Sequence, residues 1–208
     1  MYAKYVKRML DFTLSLLALI ILSPIMLIVY ILVRIELGKL VIFKQQRPGK
    51  NEKIFTMYKF RTMKDTRNEY GELLPDEERQ TKIGKALRST SIDELPELIN
   101  ILKGDLSLVG PRPLLVSYLP YYTDEERLRH TVRGGLTVPE VIYGSVTPTW
   151  EEQFSYEIDY VKNLSFLLDV KILWYTLKIL IKRVENDYGS EVRIPLNEER
   201  KQMIGRSK

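Results

Sequence analysis

A chain of 208 residues and 24.4 kDa suits one globular domain plus an appendage and argues against several independent domains. It has no cysteine, which removes disulfides, thiolate nucleophiles and cysteine-held metals, and its single histidine, His130, excludes a polyhistidine metal site. Any metal is therefore a hard cation on oxygen ligands, and the net charge of +5 points to an anionic partner, without choosing among nucleic acid, anionic lipid and a phosphorylated substrate.

Phe12 to Val33 carries no charged residue, about 33 Å of helix, which matches the hydrocarbon core of a bilayer. The run is too long for a secretory signal and no small-residue cleavage site follows, so it is expected to be retained. Ser23-Pro24 falls in its middle, where proline removes a backbone hydrogen bond and bends a helix. Lys4, Lys7 and Arg8 precede the run and Arg34, Lys39 and Lys44 follow it, so the positive-inside rule favours neither orientation of a straight span. A helix bent at Ser23-Pro24, entering and leaving through one leaflet, keeps both basic clusters cytoplasmic. This re-entrant shape is the expectation, with an ordinary kinked transmembrane helix as the alternative.

Leu40 to Lys44 and Ile54 to Phe60 read as strands of a β-hairpin around Arg47-Pro48-Gly49-Lys50-Asn51. Along the second strand Phe55, Met57 and Lys59 share one face and Thr56, Tyr58 and Phe60 the other, because strand side chains alternate. Lys59 thus falls among apolar neighbours, where most lysines snorkel to water and a minority hold phosphate. Arg47 and Arg61 read as surface residues. Lys64 to Thr81 is polar, is interrupted by Gly71 and Pro75, and is expected as a surface loop or lid. Thr81 to Arg88 lacks the Gly-Lys-Ser/Thr ending of a nucleotide P-loop.

The stretch from Arg88 to Pro113 sets Asp93 and Glu94 against Arg88 and Arg112, with a spacing that one short helix bridges. Carboxylates that hold a divalent ion, with guanidinium groups on the remaining phosphate oxygens, are a common means of handling phosphoryl groups. Spacing alone favours a plainer reading, because Ser91 and Glu94 also fit a helix capping box. Pro96 counts modestly against a helix start as early as Ser91. The helix carrying Glu97, Leu98, Ile101 and Leu102 should stop near Gly104. Beyond it, Gly110-Pro111-Arg112-Pro113 is a rigid turn that serves a phosphate or a buried salt bridge equally well.

Pro113 to Tyr122 is rich in tyrosine and is a candidate for the membrane interface. From Phe166 to Val184, Phe166, Leu167, Val170, Leu173, Trp174, Leu177 and Ile181 form one helical face opposite Lys171, Lys178 and Lys182, which suits an interfacial helix or a core helix with solvated lysines. Asp159 and Asp169 read as structural. Residues after Glu185 are polar and expected as a loose tail.

Together these segments resemble the bacterial sugar transferase family, the monotopic phosphoglycosyl transferases similar to the initiating enzyme of campylobacter protein glycosylation. The resemblance rests on Lys7-Arg8 with Asp11, Ser23-Pro24, Phe43 to Gly49, Lys59 to Met63, Leu87-Arg88, Ser91 to Pro96, Asn100 to Asp105 and Val109 to Pro113. As an ordered set these are highly specific. The resemblance implies transfer of a phosphosugar from a UDP-sugar to undecaprenyl phosphate, with release of UMP and a requirement for Mg²⁺. The product would start a capsule, exopolysaccharide, O-antigen or glycoprotein glycan. The resemblance also implies that Asp93 is the nucleophile, forming an acyl-phosphate intermediate, that Glu94 helps bind Mg²⁺, that Lys59 is a further active-site residue and that Arg88 and Arg112 bind substrate phosphate.

The expected fold is thus an α/β monotopic membrane protein. Residues 1–36 form the re-entrant helix, 37–185 a mainly helical cytoplasmic domain with a small β-hairpin and interfacial amphipathic helices, and 186–208 the tail. It belongs on the cytoplasmic face of the bacterial inner membrane, in contact with lipid, with a homodimer and downstream glycosyltransferases as further candidate partners. The pattern departs from the family after residue 130, where Arg133-Gly134-Gly135-Leu136-Thr137-Val138-Pro139 replaces a Pro-Gly-Ile-Thr-Gly-like segment and Ser145 stands in place of an arginine. Arg133 is a candidate substitute. A non-catalytic, membrane-anchored polyprenyl-phosphate-binding or scaffold module is the competing reading, and nothing in the chain carries a nucleic-acid motif.

Overall fold

The computed structural model describes residues 2–144, 148–185 and 193–206. The uncharged N-terminal run extends at both ends into a single helix, α1 (Lys7–Leu37), entered through a wider π turn at Tyr2–Val6. Pro24 lies inside it without dividing it. A proline supplies no amide to the carbonyl four residues back, and here the Ser23 hydroxyl donates to that carbonyl, of Ile20, at 2.8 Å.

One stripe of α1 faces the rest of the protein along its whole length. Lys7, Asp11, Ser15, Val29 and Val33 are buried, and Ala18, Leu19, Leu22 and Met26 pack against core clusters between them. The recurrence every three or four residues is that of a helix buried on one face only. Its other face leaves Met9, Phe12, Leu17, Ile20, Ile21, Ile28 and Ile35 exposed.

The hairpin forms from β1 (Ile42–Pro48) and β2 (Ile54–Phe60), antiparallel, with Ile42 opposite Phe60 and Pro48 opposite Ile54. The first strand therefore runs four residues beyond the expected end at Lys44 (48 − 44), and the chain reverses through Asn51 and Glu52, both at positive φ. The expected alternation holds: Phe55 and Met57 pack with Leu98, Ile101 and Leu106, while Phe60 packs with Val29, Val33, Val41 and Leu87. The polar loop that follows is closed on itself by bridges between Met63 and Gln80 and between Arg67 and Leu73, and contains the short α2 (Asp76–Arg79).

Helix α3 (Lys82–Ser89) starts at Thr81, whose hydroxyl accepts from the Gly84 amide at 2.9 Å and donates to Glu36 at the far end of α1. Gly84 passes so close to the Thr62 carbonyl that a Cβ would lie 2.0 Å from it, which fixes α3 against the end of β2. Helix α4 (Glu97–Lys103) stops at Gly104, in the left-handed region at φ 88°, and leads into β3 (Leu106–Val109), parallel to β4 (Gly134–Thr137). Helices α5 (Trp150–Lys162), begun by a Thr149–Glu152 capping box, α6 (Phe166–Glu185) and α7 (Leu196–Arg206) complete the described chain.

Two expectations are corrected here. Pro113 to Tyr122 is core rather than membrane interface, because Leu114, Tyr118 and Tyr122 pack with Trp150, Phe154, Ile158 and Leu196. The stretch expected as a loose tail also supplies part of that core: Leu196 is fully buried, and the Trp150 indole donates to the Ile194 carbonyl at 3.0 Å. In α6 the core contact is made by Leu168 and Ile172, while Phe166, Leu167, Val170, Leu173, Trp174, Leu177 and Ile181 are exposed. That face is therefore not a core face. Asp169 is structural as expected, buried at the start of α6 and bonded to Lys7, Tyr2 and Tyr160.

Candidate active site

The site forms where α3 turns into α4 beside the end of β2. Ser91 adopts the left-handed conformation at φ 57°, which a non-glycine residue holds only under constraint. A short 3-10 turn, Ile92–Glu94, follows it. The capping box does not form: the Ser91 side chain makes no capping hydrogen bond, and Glu94 instead accepts from Lys59 Nζ at 2.5 Å. The same ammonium reaches Glu97 Oε1 at 3.2 Å. Lys59 stays inside because two carboxylates await it on the face where alternation put it. Burial would lower its pKa, but Glu94 and then Glu97 outweigh that and hold it above the ordinary value.

Asp93 is buried, and burial followed by the Glu94 charge pushes its pKa up to about 6, against the opposing pull of Lys59 and Arg88. It is thus a desolvated carboxylate that still ionises at neutral pH. Glu97, which the sequence reading took for an ordinary helix residue, is a third carboxylate of the site; burial first, offset by Lys59 and reinforced by Glu94, pushes it up to about 7.

Arg88 is exposed, donates to Thr62 Oγ1 at 3.2 Å and to the Met63 sulfur, and pairs with no acid among the described residues. Its charge is felt at Asp93. Arg112 is also exposed, and its guanidinium has no hydrogen bond or ion pair among the described residues, so it is not a buried salt bridge. Its charge is felt at Glu97. Arg47, expected as a surface residue, is half-buried; its Nε has no partner among the described residues, and its pKa is lowered first by burial and then by Arg112. Arg61 is a loop residue paired with Asp65.

Arg133 is engaged at the other end of α4 from the carboxylates. Its Nε donates to the Gly104 carbonyl at 2.7 Å, beyond the C-terminal end of α4, whereas Asp93 and Glu94 precede the N-terminal end. Ser145 lies outside the described residues. A cavity of about 410 Å³ lined by Glu125, Glu126, Glu151, Phe154 and Asp159 contains none of the residues named for the site.

Among the described residues no three acidic or histidine side chains converge as a cage for a metal ion. Lys59 occupies one oxygen of Glu94, while the other has no partner among the described residues. That donor set fits a Mg²⁺ ion held by one carboxylate together with substrate phosphates, the usual manner for this cation, and does not fit a site made of protein alone.

Residues 2–183 match the model of the bacterial sugar transferase family. The chain is 51% identical over 176 residues to the uncharacterized sugar transferase EpsL of Bacillus subtilis, covering 84% of this chain and 87% of that protein. It is 34% identical to a UDP-N-acetylgalactosamine-undecaprenyl-phosphate N-acetylgalactosaminephosphotransferase of Aeromonas hydrophila, covering 85% of this chain and 44% of that one. It is 37% identical to a UDP-glucose:undecaprenyl-phosphate glucose-1-phosphate transferase of Klebsiella pneumoniae, covering 82% and 39%. The chain thus spans less than half the length of the latter two relatives.

Proposed function

The chain belongs to the bacterial sugar transferase family, and we propose that it moves a sugar-1-phosphate from a UDP-sugar to undecaprenyl phosphate, releasing UMP. The observation that carries this reading is Asp93, a buried carboxylate beside the Lys59–Glu94 pair and under the charge of Arg88, which pairs with no acid among the described residues. In the first step an Asp93 oxygen attacks the phosphorus nearest the sugar. The bond from that phosphorus to the bridging oxygen breaks, UMP leaves with the electron pair, and an aspartyl phosphosugar remains. In the second step a phosphate oxygen of the polyprenol attacks the same phosphorus, and Asp93 is released as carboxylate.

Arg88 and Arg112 provide fixed donors to the phosphate oxygens, where charge builds up as UMP departs. Lys59 keeps its proton between Glu94 and Glu97, so that its single positive charge offsets one of the further carboxylates beside Asp93 before the substrate arrives. Mg²⁺ bound through Glu94 would supply neutralisation of the diphosphate charge.

The membrane arrangement proposed is re-entrant, with both ends of α1 on the cytoplasmic side and its apolar outer face, together with that of α6, in lipid. What supports it is that both ends of α1 are tied to one globular body. Lys7 is paired with Asp169 and Arg8 donates to the Ile101 and Leu102 carbonyls at one end, and Glu36 holds Thr81 at the other. A straight span would carry one of these ends across about 30 Å of hydrocarbon.

Incubation with a UDP-sugar and Mg²⁺ alone, without polyprenol, should release UMP up to one equivalent of enzyme and leave a phosphosugar on Asp93. Asp93→Asn should abolish both. Release of UMP only when both substrates are present, with no trapped adduct, would replace the two-step reaction by direct attack. No turnover on any UDP-sugar would leave a binding module.

A further inference from the structure

We infer that Arg129 and Glu157 are positioning residues for Arg112: their buried ion pair grips the backbone of Arg112 on both sides and so aims its guanidinium at substrate phosphate. This rests on the phosphate-binding role proposed above for Arg112.

Between Pro111 and Pro113, Arg112 has the only backbone N–H, and this amide donates to Glu157 Oε1 at 3.0 Å. The Arg112 carbonyl accepts from an Arg129 terminal nitrogen at 2.5 Å. The two gripping side chains are bound to each other in a fork, Arg129 Nε to Glu157 Oε2 at 2.6 Å and the terminal nitrogen to Oε1 at 2.9 Å. Gln153 donates to the same Oε1 at 3.1 Å, and the other Arg129 terminal nitrogen donates to the Tyr122 hydroxyl at 3.2 Å. Neither side chain retains more than 1% exposure.

Burying a full charge pair is costly unless nearly all its polar positions are satisfied, and here six hydrogen bonds satisfy them. Holding the 3-10 segment Glu126–Thr131 to α5 requires only the fork between the two side chains. Of the four additional bonds, two go to the backbone of one residue, Arg112, whose own guanidinium has no hydrogen bond or ion pair among the described residues. Pro113 restricts Arg112 to extended backbone, and Pro111 has a fixed φ, so the two hydrogen bonds remove what freedom the turn retains. The result is a guanidinium on a fixed base, pre-organised for an anion.

A double-mutant cycle on the full-length chain in detergent tests this, read by binding of inorganic pyrophosphate in the presence of Mg²⁺. Arg129→Lys keeps the charge opposite Glu157 but has a single-nitrogen head, which cannot hold both Glu157 oxygens and the Arg112 carbonyl. It should weaken pyrophosphate binding by about tenfold, the scale of one charge-assisted hydrogen bond, and by nothing further in an Arg112→Ala background. Glu157→Gln, which retains an acceptor for the Arg112 amide, provides the second variant should the first not fold. Equal losses with and without the Arg112 side chain would reduce the pair to a structural role, and so would no loss at all. If Arg112→Ala itself leaves pyrophosphate affinity unchanged, the inference is overturned. If Arg112-dependent binding stands while no UDP-sugar releases UMP, the transferase reading fails and the mount remains.

Discussion

Asp169→Asn isolates the tie between the membrane helix and the body of the protein. The wild-type carboxylate accepts from Lys7 Nζ at 2.6 Å and Tyr160 at 2.7 Å, and the Lys7 and Asp169 side chains are only 10% and 7% exposed. Asparagine matches the volume, so no cavity contributes, but it leaves a buried ammonium opposite a neutral amide. Removing one partner of a buried pair typically costs about 3–5 kcal/mol, a large fraction of the roughly 5–15 kcal/mol that keeps a domain folded. At about 2–4 °C per kcal/mol for a chain of this size, the thermal midpoint in detergent should fall by roughly 6–20 °C. The double variant Lys7→Met, Asp169→Leu removes both charges and should recover part of that loss, since apolar replacement of a whole buried pair is often neutral but the Tyr2 hydroxyl loses its acceptor here. A midpoint within 2 °C or so of wild type for Asp169→Asn alone would mean that Lys7 reaches water and the pair holds nothing together.

Glu140→Gln addresses pH. The Glu140 carboxyl is buried, one of its oxygens has no partner among the described residues, and burial first and then the Glu157 charge push its pKa up to about 8 from an ordinary 4.5. A group that binds its proton more tightly when folded contributes stability at low pH and loses it as pH rises from 4.5 through about 8. Within that window the wild type should lose stability relative to Glu140→Gln by about 1.4 kcal/mol per pH unit, measured by denaturant unfolding at several pH values. Parallel stability curves would show that Glu140 is not protonated in the folded protein. For topology, cysteines introduced at residues 2 and 40 should both be labelled from the cytoplasmic side of sealed vesicles, and labelling from opposite sides would exclude the re-entrant arrangement.

Much of the site was legible because it depends on local geometry. Strand alternation put Lys59 on the face of Phe55 and Met57, and that same face meets Glu94 and Glu97. Glu97 itself was passed over as a helix residue, although it stands three residues from Glu94, the spacing at which side chains share a helical face. Arg129 was hidden for a different reason. It closes a charged run, Asp124 to Arg129, that reads as solvated, and its partner lies 28 residues away on another element, so no local pattern reports the pair. Pro113 to Tyr122 was misread because tyrosine suits an interface and a core equally, and only Trp150, Phe154 and Leu196, all distant in sequence, decide between them. The tail was misread on average polarity, which concealed one buried leucine.

The inward stripe of α1 bears on what this apolar helix is for. Ala18, Leu19 and Leu22 complete the cluster around Phe55, Met57 and Ile101, and Val29 and Val33 complete the one around Phe60 and Leu87. These clusters lie under the two strand faces whose ends carry Lys59 to the carboxylates. A chain cut at residue 36 would therefore not be an enzyme freed from its tether. It would lack one wall of its own interior, and the exposed seam would collect detergent or other chains. In this protein the apolar N-terminal helix and the rest of the domain are one folding unit, so the helix also helps set the distance between Lys59 and Glu94.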